Sequence, residues 1–141
     1  MNGPKRQYDE GHELREYIWR NYQHVLTERE RSLYIAAIQE LRARHASSYD
    51  QAEGIRRTRV YFFDEDVAEI VEHGPEDFRL QCCDRLLAEY GGEIYINRCE
   101  RCRRIVVSPI SCACLWCGHH WYERRSEMIA KAGFSIYPKP S

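Results

Sequence analysis

The stretch Cys99-Glu-Arg-Cys102, followed eleven residues later by Cys114-Leu-Trp-Cys117-Gly118, decides how the C-terminal part of this chain folds. Two Cys-x-x-Cys pairs are the sequence form of a tetrahedral tetrathiolate zinc site. Each short loop lets two thiolates reach one ion, and the spacer is long enough for a strand out and a strand back. Gly118 supplies the permissive backbone that a tight metal turn needs. The sequence therefore predicts a zinc ribbon with one structural Zn²⁺ held by Cys99, Cys102, Cys114 and Cys117.

Five further residues could compete with this ligand set or react on their own. Cys112 is predicted to be a bystander thiol, and the alternatives are ligand swapping under oxidation or a disulfide with a neighbour. His119 and His120 follow the second pair directly and are predicted to support the site from outside. Cys82 and Cys83 point to different sides of a predicted helix, and Cys82 is expected to be a small buried hydrophobe. Four thiolates leave no open coordination position, which argues against hydrolysis at this metal.

The composition indicates one domain, or one domain with a small metal module, in a chain of 141 residues. A hydrophobic content of 43% is enough for a core, and 30% charged residues indicate a soluble protein. No apolar run approaches the roughly 20 residues that span a bilayer, and the first ten residues lack the apolar region of a secretory signal. Seven cysteines in this pattern suit a reducing compartment. We therefore expect a cytoplasmic protein without membrane contact.

Charge is distributed unevenly although the net charge is only −1. Residues 98–125 carry six arginines against two glutamates, a local charge of +4. Residues 64–77 carry no Lys or Arg and have seven acidic side chains: Asp64, Glu65, Asp66, Glu69, Glu72, Glu76 and Asp77. The near-neutral total gives no general case for nucleic-acid binding, but a basic segment and an acidic segment are both predicted.

Apolar residues at three- and four-residue steps predict four helices, at about 12–26, 27–45, 64–73 and 75–90. Thr27 and Glu30 form a capping-box pattern at the second of them. Residues 46–58 are predicted to be a loop, and residues 60–63 a short strand or the lead-in to a helix. Residues 94–96, 104–107 and 121–122 are the strand candidates of the ribbon. The predicted fold class is α+β, mainly helical, with a helical body at 1–93 and a tetracysteine zinc ribbon and tail at 94–141.

Three hypotheses about function follow from these features. The first is a non-enzymatic protein-binding module with aromatic anchors and an acidic face; the alternative for the aromatic residues is that they close the small core of the ribbon. The residues assigned to the partner surface are Asp64, Glu65, Asp66, Glu69, Glu72, Trp116 and Trp121. The second is nucleic-acid binding by the ribbon arginines with Trp116 or Trp121 stacking on bases, which the acidic remainder of the chain opposes. The third is an enzyme, for which the sequence offers no assembled catalytic motif.

The C-terminal knuckles resemble those of a group of small, uncharacterised bacterial zinc-ribbon proteins. The matching residues are Ile96-Asn97-Arg98-Cys99-x-x-Cys102, then Ser108-Pro109, then Cys114-x-Trp116-Cys117-Gly118-His119-His120-Trp121. The match covers roughly a fifth of the chain, and ribbons occur in proteins of many functions. The chain departs from that pattern at Glu100, where Pro is usual, at His120, where Asp is usual, and by the additional Cys112.

Small bacterial proteins of this kind sometimes resemble immunity proteins that plug the active site of a toxin. By that analogy the chain is an immunity or antitoxin protein of bacterial origin that neutralises a toxin domain by direct binding. The sequence-based prediction is therefore a zinc-stabilised protein without enzymatic activity whose partner is another protein. A nucleic-acid-binding regulator is the alternative, and the sequence does not fix the oligomeric state.

Overall fold

The computed structural model describes residues 6–58 and 64–131. The predictions for residues 60–63 and for the tail beyond residue 131 lie outside these ranges. The chain divides into two compact units: unit 1 comprises Met1–Val25 with Leu86–Ser141, and unit 2 comprises Leu26–Arg85. The predicted division between residues 93 and 94 stays a prediction.

The α+β fold class is wrong, because the described residues form an almost purely helical protein. Helical residues make up 64% of them, and residues in β-bridges only 3%. The predicted ribbon strands at 94–96, 104–107 and 121–122 are absent from this part of the chain. Two isolated antiparallel bridges stand in their place, Arg98 with Ile105 and Ala113 with His120.

The would-be ribbon strands do not form because side chains bind their backbone groups. The carbonyl of Tyr95 accepts hydrogen bonds from the hydroxyls of Tyr17 at 2.6 Å and Tyr22 at 3.3 Å. The amide of Ile105 donates to the hydroxyl of Tyr8 at 3.1 Å. These side-chain bonds occupy backbone groups that a longer ladder would use. The backbone pairing that remains is limited to bonds such as those from the Cys99 amide to the Arg104 carbonyl at 2.9 Å and from the Val106 amide to the Asn97 carbonyl at 3.1 Å.

Helix α1 (Glu10–Asn21) anchors unit 1. Asp9 caps it by accepting a hydrogen bond from the amide of His12 at 2.9 Å, as short polar side chains commonly do at this position. Tyr17 and Ile18 on its inner face are completely buried. The chain continues through a 3₁₀ turn (Gln23–Val25) into the next helix.

Unit 2 is built from helices α2 (Glu28–Arg44), α3 (Tyr49–Thr58), α4 (Asp64–His73) and most of α5 (Pro75–Tyr90). Helix α2 packs against both α3 and α4. The shared core consists of small and branched side chains: Leu33, Ala36, Ala37, Val67 and Val71. Helices α4 and α5 have the bounds that the sequence predicts.

The start of α2 confirms the predicted capping box. The Thr27 hydroxyl accepts from the amide of Glu30 at 3.0 Å, and the Glu30 carboxylate accepts from the amide of Thr27 at 2.9 Å. Glu30 also accepts two hydrogen bonds from Arg85, at 2.6 and 2.8 Å. Glu30 therefore takes part in the cap of α2 and also links α2 to α5.

Helix α3 corrects the loop predicted for residues 46–58. Glu40, only 8% exposed, accepts hydrogen bonds from Arg56 on α3 at 3.0 and 3.2 Å and from Arg44 at 3.1 Å. This buried carboxylate needs both cations, because an unpaired charge in the interior is strongly unfavourable. The helix is thus stabilised by an ion-pair contact that no apolar periodicity reveals.

Two short elements complete the description. Residues Tyr122–Arg124 form a 3₁₀ turn that leads into the short helix α6 (Arg125–Lys131). Among the described residues, no helix combines the length and the apolar character that crossing a bilayer requires.

Candidate metal centre

The four predicted ligands come together in unit 1. The sulfur atoms of Cys99, Cys102, Cys114 and Cys117 all lie within 4.8 Å of one another. Cys99 and Cys117 are 3.6 Å apart, and so are Cys102 and Cys114. All seven cysteines of the chain are free thiols. The predicted tetracysteine cluster is therefore present.

The cluster is made of two knuckles with the same backbone, fifteen residues apart. The amide of Cys99 donates to the carbonyl of Arg104 at 2.9 Å, and the amide of Cys114 donates to that of His119 at 2.8 Å. The carbonyls of the same two cysteines accept from Arg103 at 2.9 Å and Gly118 at 3.0 Å. Each knuckle is closed by one antiparallel bridge at equivalent positions. The two knuckles therefore form a structural repeat, although the sequence shows no internal repeat beyond the two cysteine pairs.

The fifth residue of each knuckle turns the chain with a positive φ. Gly118 has a φ of 80°, and Arg103 at the equivalent position has a φ of 65°. Glycine adopts this conformation freely, whereas a residue with a Cβ is destabilised there by roughly 1–2 kcal/mol. The prediction for Gly118 is confirmed, and the first knuckle forms the same turn against an unfavourable side chain.

Backbone amides point at the sulfur atoms within each knuckle. The amides of Arg101 and Cys102 donate to Cys99 Sγ at 3.3 and 3.5 Å, and the amide of Trp116 donates to Cys114 Sγ at 3.4 Å. Burial raises the pKa of the Cys99 thiol, but these amide donors outweigh it and bring the pKa down to about 7. Such donors favour the charged form of an acceptor, so the first knuckle is arranged around a thiolate.

The pKa of the neighbouring thiol shifts in the opposite direction. Burial raises the pKa of Cys102 to about 12. Four thiolates within a few ångströms repel one another, and the positive charge of a bound divalent ion offsets that repulsion and favours the deprotonated ligands.

The geometry fits zinc. A tetrahedral ion with sulfur atoms at about 2.3 Å places those sulfur atoms about 3.8 Å from one another. The two separations of 3.6 Å are close to this value. Four sulfur donors also match a structural site. When bound, the ion would cross-link the two knuckles.

Asn97 organises the loop between the knuckles. Its side chain is 1% exposed and donates to the carbonyls of Ser108 and Ser111, both at 2.9 Å, and to that of Pro109 at 3.4 Å. Its backbone amide donates to the hydroxyl of Tyr17 at 3.2 Å. Asn97 and Ser108-Pro109 are part of the pattern on which the family resemblance rests, and this contact gives them a structural role.

The other residues near the site lie outside the cluster. Cys112 is buried and its thiol donates to the carbonyl of Ile110 at 3.5 Å. His119 stacks on Trp121 with 5.6 Å between ring centroids, and its Nε2 lies 3.7 Å from Glu100. His120 stacks on Tyr122 at 5.1 Å.

The predicted partner residues fall at separate places. Trp121 is 1% exposed and packs in the core of unit 1 with Cys99, Val106 and Met128. Trp116 is half-buried at the edge of a cleft in unit 1. The acidic set belongs to α4 in unit 2, where Glu65, Glu69 and Glu72 are exposed, Asp66 is half-buried, and Asp64 begins the helix. Their role in partner binding stays a prediction.

Asp66 forms an ion pair within unit 2. Its carboxylate accepts a hydrogen bond from Arg29 at 2.9 Å. Asp66 and Glu69 line a shallow cavity of about 330 Å³ with His73 and Asp77.

Sequence reasoning missed the cleft that Trp116 borders. The cleft has a volume of about 890 Å³ and includes Arg6, Tyr8 and Arg20 from the N-terminal segment. Residues so far apart in sequence give no shared local pattern.

The comparisons with known proteins do not assign a family: no family model, no curated protein and no solved structure matches this chain. The site and its surroundings therefore carry the functional argument by themselves.

Proposed function

We propose that this chain is a non-enzymatic, zinc-stabilised module that binds another protein. The observation that carries the proposal is the tip of the second knuckle. Leu115 is 82% exposed, although it lies between two cysteines of the metal cluster and beside Trp116. Single exposed apolar residues are common on protein surfaces, but this one stands on a backbone that a metal ion would hold rigid. A pre-ordered apolar contact loses little entropy on binding, which favours its use as an anchor.

The metal site supports a structural role. Four thiolates fill the coordination of a tetrahedral zinc, so no position remains for substrate or water. The role of the ion is then to hold the knuckle tips in place. Further exposed apolar side chains in unit 1, Tyr122 at 61% and Val107 at 39%, add to the available contact surface.

In its finer form the proposal makes the partner a toxin domain, as the family resemblance implies. The exposed acidic side chains of α4, among them Glu65, Glu69 and Glu72, would then face a basic surface of that toxin. Complementary charge of this kind accelerates encounter and improves specificity more than it adds affinity.

A nucleic-acid-binding regulator is the second candidate. Arg101, Arg103 and Arg104 are exposed and form no ion pair with another described residue. Arg98 and Arg124, by contrast, are paired with Glu10 and Glu100. A bound Zn²⁺ with four thiolates also carries a net charge of −2, which further weakens the attraction for a polyanion.

The test is a pull-down from the native host with the zinc-loaded protein, with nuclease treatment in parallel. We expect one stoichiometric protein that survives nuclease and raised salt and that is lost with Leu115→Ser. The matched control is Leu87→Ser, a half-buried leucine outside the knuckles. Recovery of nucleic acid that is lost at raised salt, or of no stoichiometric protein at all, would contradict the proposal.

A further inference from the structure

The cleft in unit 1 has a composition unlike the rest of the described surface. Its volume of about 890 Å³ lies within the range of ligand-binding pockets. Arginine and aromatic side chains line one part, and apolar side chains line the other. The lining residues that matter here are Arg6, Tyr8, Arg20, Arg104, Leu115 and Trp116.

Aromatic rings hold the Arg104 guanidinium in place. Its central carbon lies 5.4 Å from the centroid of the Tyr8 ring and 5.8 Å from that of Trp116. These two rings pack edge to face, with 5.0 Å between their centroids. Cation–π contacts of this length orient a guanidinium without using its N–H donors. Arg104 forms no ion pair with another residue that the structure describes.

The other two arginines of the cleft form different contacts. Arg6 lies 5.3 Å from the Trp116 centroid and forms an ion pair with Glu13. Arg20 is exposed and donates to the carbonyl of Val107 at 3.2 Å, a bond that uses one of its five N–H groups. The cleft therefore presents cationic donors, on Arg104 and Arg20, that form no ion pair with a carboxylate in the part of the chain that the structure describes.

We infer that this cleft binds an acidic peptide segment that also carries an apolar side chain. Carboxylates of the segment would pair with Arg104 and Arg20, since the planar guanidinium matches a carboxylate in a bidentate contact. The apolar side chain would pack on exposed Leu115 and Val107. This inference rests on the proposed protein-binding function and assigns it a second surface, distinct from the acidic face of α4.

The arrangement favours an acidic peptide over single-stranded nucleic acid. Two guanidinium groups, from Arg6 and Arg104, already lie over the Trp116 ring. A base would have to displace one of them to stack there, whereas a carboxylate needs only the N–H edge of Arg104. The two unneutralised arginines are also few for tracking a phosphate backbone, which binds mainly through repeated ionic contacts.

The test uses labelled probes of defined composition and the zinc-loaded full chain. Fluorescein-labelled hexapeptides of alternating Glu and Leu, Gln and Leu, or Lys and Leu are compared with a labelled hexathymidylate by fluorescence anisotropy. We expect the Glu/Leu peptide to bind about tenfold more tightly than the Gln/Leu peptide, because charge-assisted hydrogen bonds replace neutral ones.

Two matched substitutions locate the binding surface. Arg104→Gln is expected to weaken binding of the Glu/Leu peptide about tenfold. Arg101→Gln removes the same charge from an exposed residue outside the cleft and is expected to change the Kd by less than about twofold. Zinc content and circular dichroism establish that both variants are folded.

The outcomes separate this inference from the proposed function. Equal binding of the Glu/Leu and Gln/Leu peptides, or equal effects of the two arginine substitutions, overturns the cleft assignment. If the stoichiometric protein partner is still recovered in that case, the protein-binding function stands. Tighter, salt-sensitive binding of hexathymidylate overturns both.

Discussion

Replacing Asn97 with Ala removes the contact that we expect to matter most for the loop between the knuckles. The side chain is 1% exposed and donates to the carbonyls of Ser108 and Ser111, both at 2.9 Å. Alanine leaves the Ser111 carbonyl without this donor, whereas the Ser108 carbonyl keeps the bond from the Ser111 amide at 3.1 Å. The backbone bonds of residue 97, to Tyr17 Oη and from Val106, remain available, so the effect isolates the side chain.

The magnitude follows from the two short bonds. Each is worth about 1 kcal/mol net, and the Ser111 carbonyl, which loses its donor, adds a desolvation penalty of about 1 kcal/mol. Together these contributions lower the free energy of unfolding by about 3 kcal/mol. The longer bond to Pro109, at 3.4 Å, adds little.

Urea denaturation of the zinc-loaded protein measures this change through tryptophan fluorescence. With an m-value of about 2 kcal/mol/M, the midpoint is expected to fall by about 1.5 M. The matched control is Asn21→Ala, because the Asn21 side chain donates to the carbonyls of Val107 and Tyr17 at 2.9 and 3.0 Å but is only half-buried.

Water can replace the donor at the Asn21 position, and we expect a loss of about 1 kcal/mol or less there. If Asn97→Ala shifts the midpoint no further than Asn21→Ala does, the organising role of Asn97 is refuted. Asn97→Asp tests the same point, since a carboxylate has no hydrogen to donate and is expected to be at least as harmful.

Four further predictions concern the knuckles and the cap of α2. Cys117→Ser is expected to lose bound zinc and to destabilise the C-terminal third, whereas Cys112→Ser retains one zinc per chain. Elemental analysis of both variants measures the zinc content, and zinc retained by Cys117→Ser would contradict the ligand set. Gly118→Ala lowers the free energy of unfolding by about 1–2 kcal/mol, because its φ is 80° although a Cβ there meets nothing within 4 Å. Arg103→Gly changes stability in the opposite direction or not at all in the same urea assay; a loss would show that Arg103 is not strained. For Glu30, burial opposes ionisation, but the hydrogen bonds from Arg85 and Thr27 keep the pKa of its carboxyl below the ordinary 4.5. The stability that Glu30 contributes is therefore present above about pH 4.5 and is lost as the pH falls below that value. Glu30→Gln should flatten the acid side of the curve of stability against pH, and an unchanged curve would disprove this.

The metal cluster could be predicted from sequence because its information is local. A Cys-x-x-Cys pair constrains its own turn, and the spacing of two pairs suffices to propose one ion. The capping box at Thr27 is equally local. Gly118 was identified for the same reason, whereas Arg103 was not, because nothing about arginine marks a turn with a positive φ.

The errors arose where distant residues decide the structure. The strand candidates at 94–96 and 104–107 have suitable composition, but Tyr8, Tyr17 and Tyr22, each more than seventy residues away, bind their backbone groups. Strand propensity depends on such context. Helix α3 has few apolar residues and contains Gly54, so its stabilisation through Glu40 and Arg56 could not be read from periodicity.

The cleft illustrates the same limit for function. Trp116 is an anchor candidate from its residue type alone, and its neighbours Arg6 and Tyr8 come from the segment before the first predicted helix. The near-neutral charge of the chain hides the fact that some arginines are paired, such as Arg98 with Glu10, while Arg104 has no such partner among the described residues.

The most direct test is a measurement of the bound metal, because the order of the knuckle tips depends on it. Native mass spectrometry of the purified protein, combined with X-ray absorption at the zinc edge, gives the stoichiometry and the donor atoms. We expect one zinc per chain, with four sulfur atoms at about 2.3 Å and no nitrogen or oxygen donor. A chain that is folded without metal, or a zinc with mixed sulfur and nitrogen donors, would contradict the structural role assigned to Cys99, Cys102, Cys114 and Cys117.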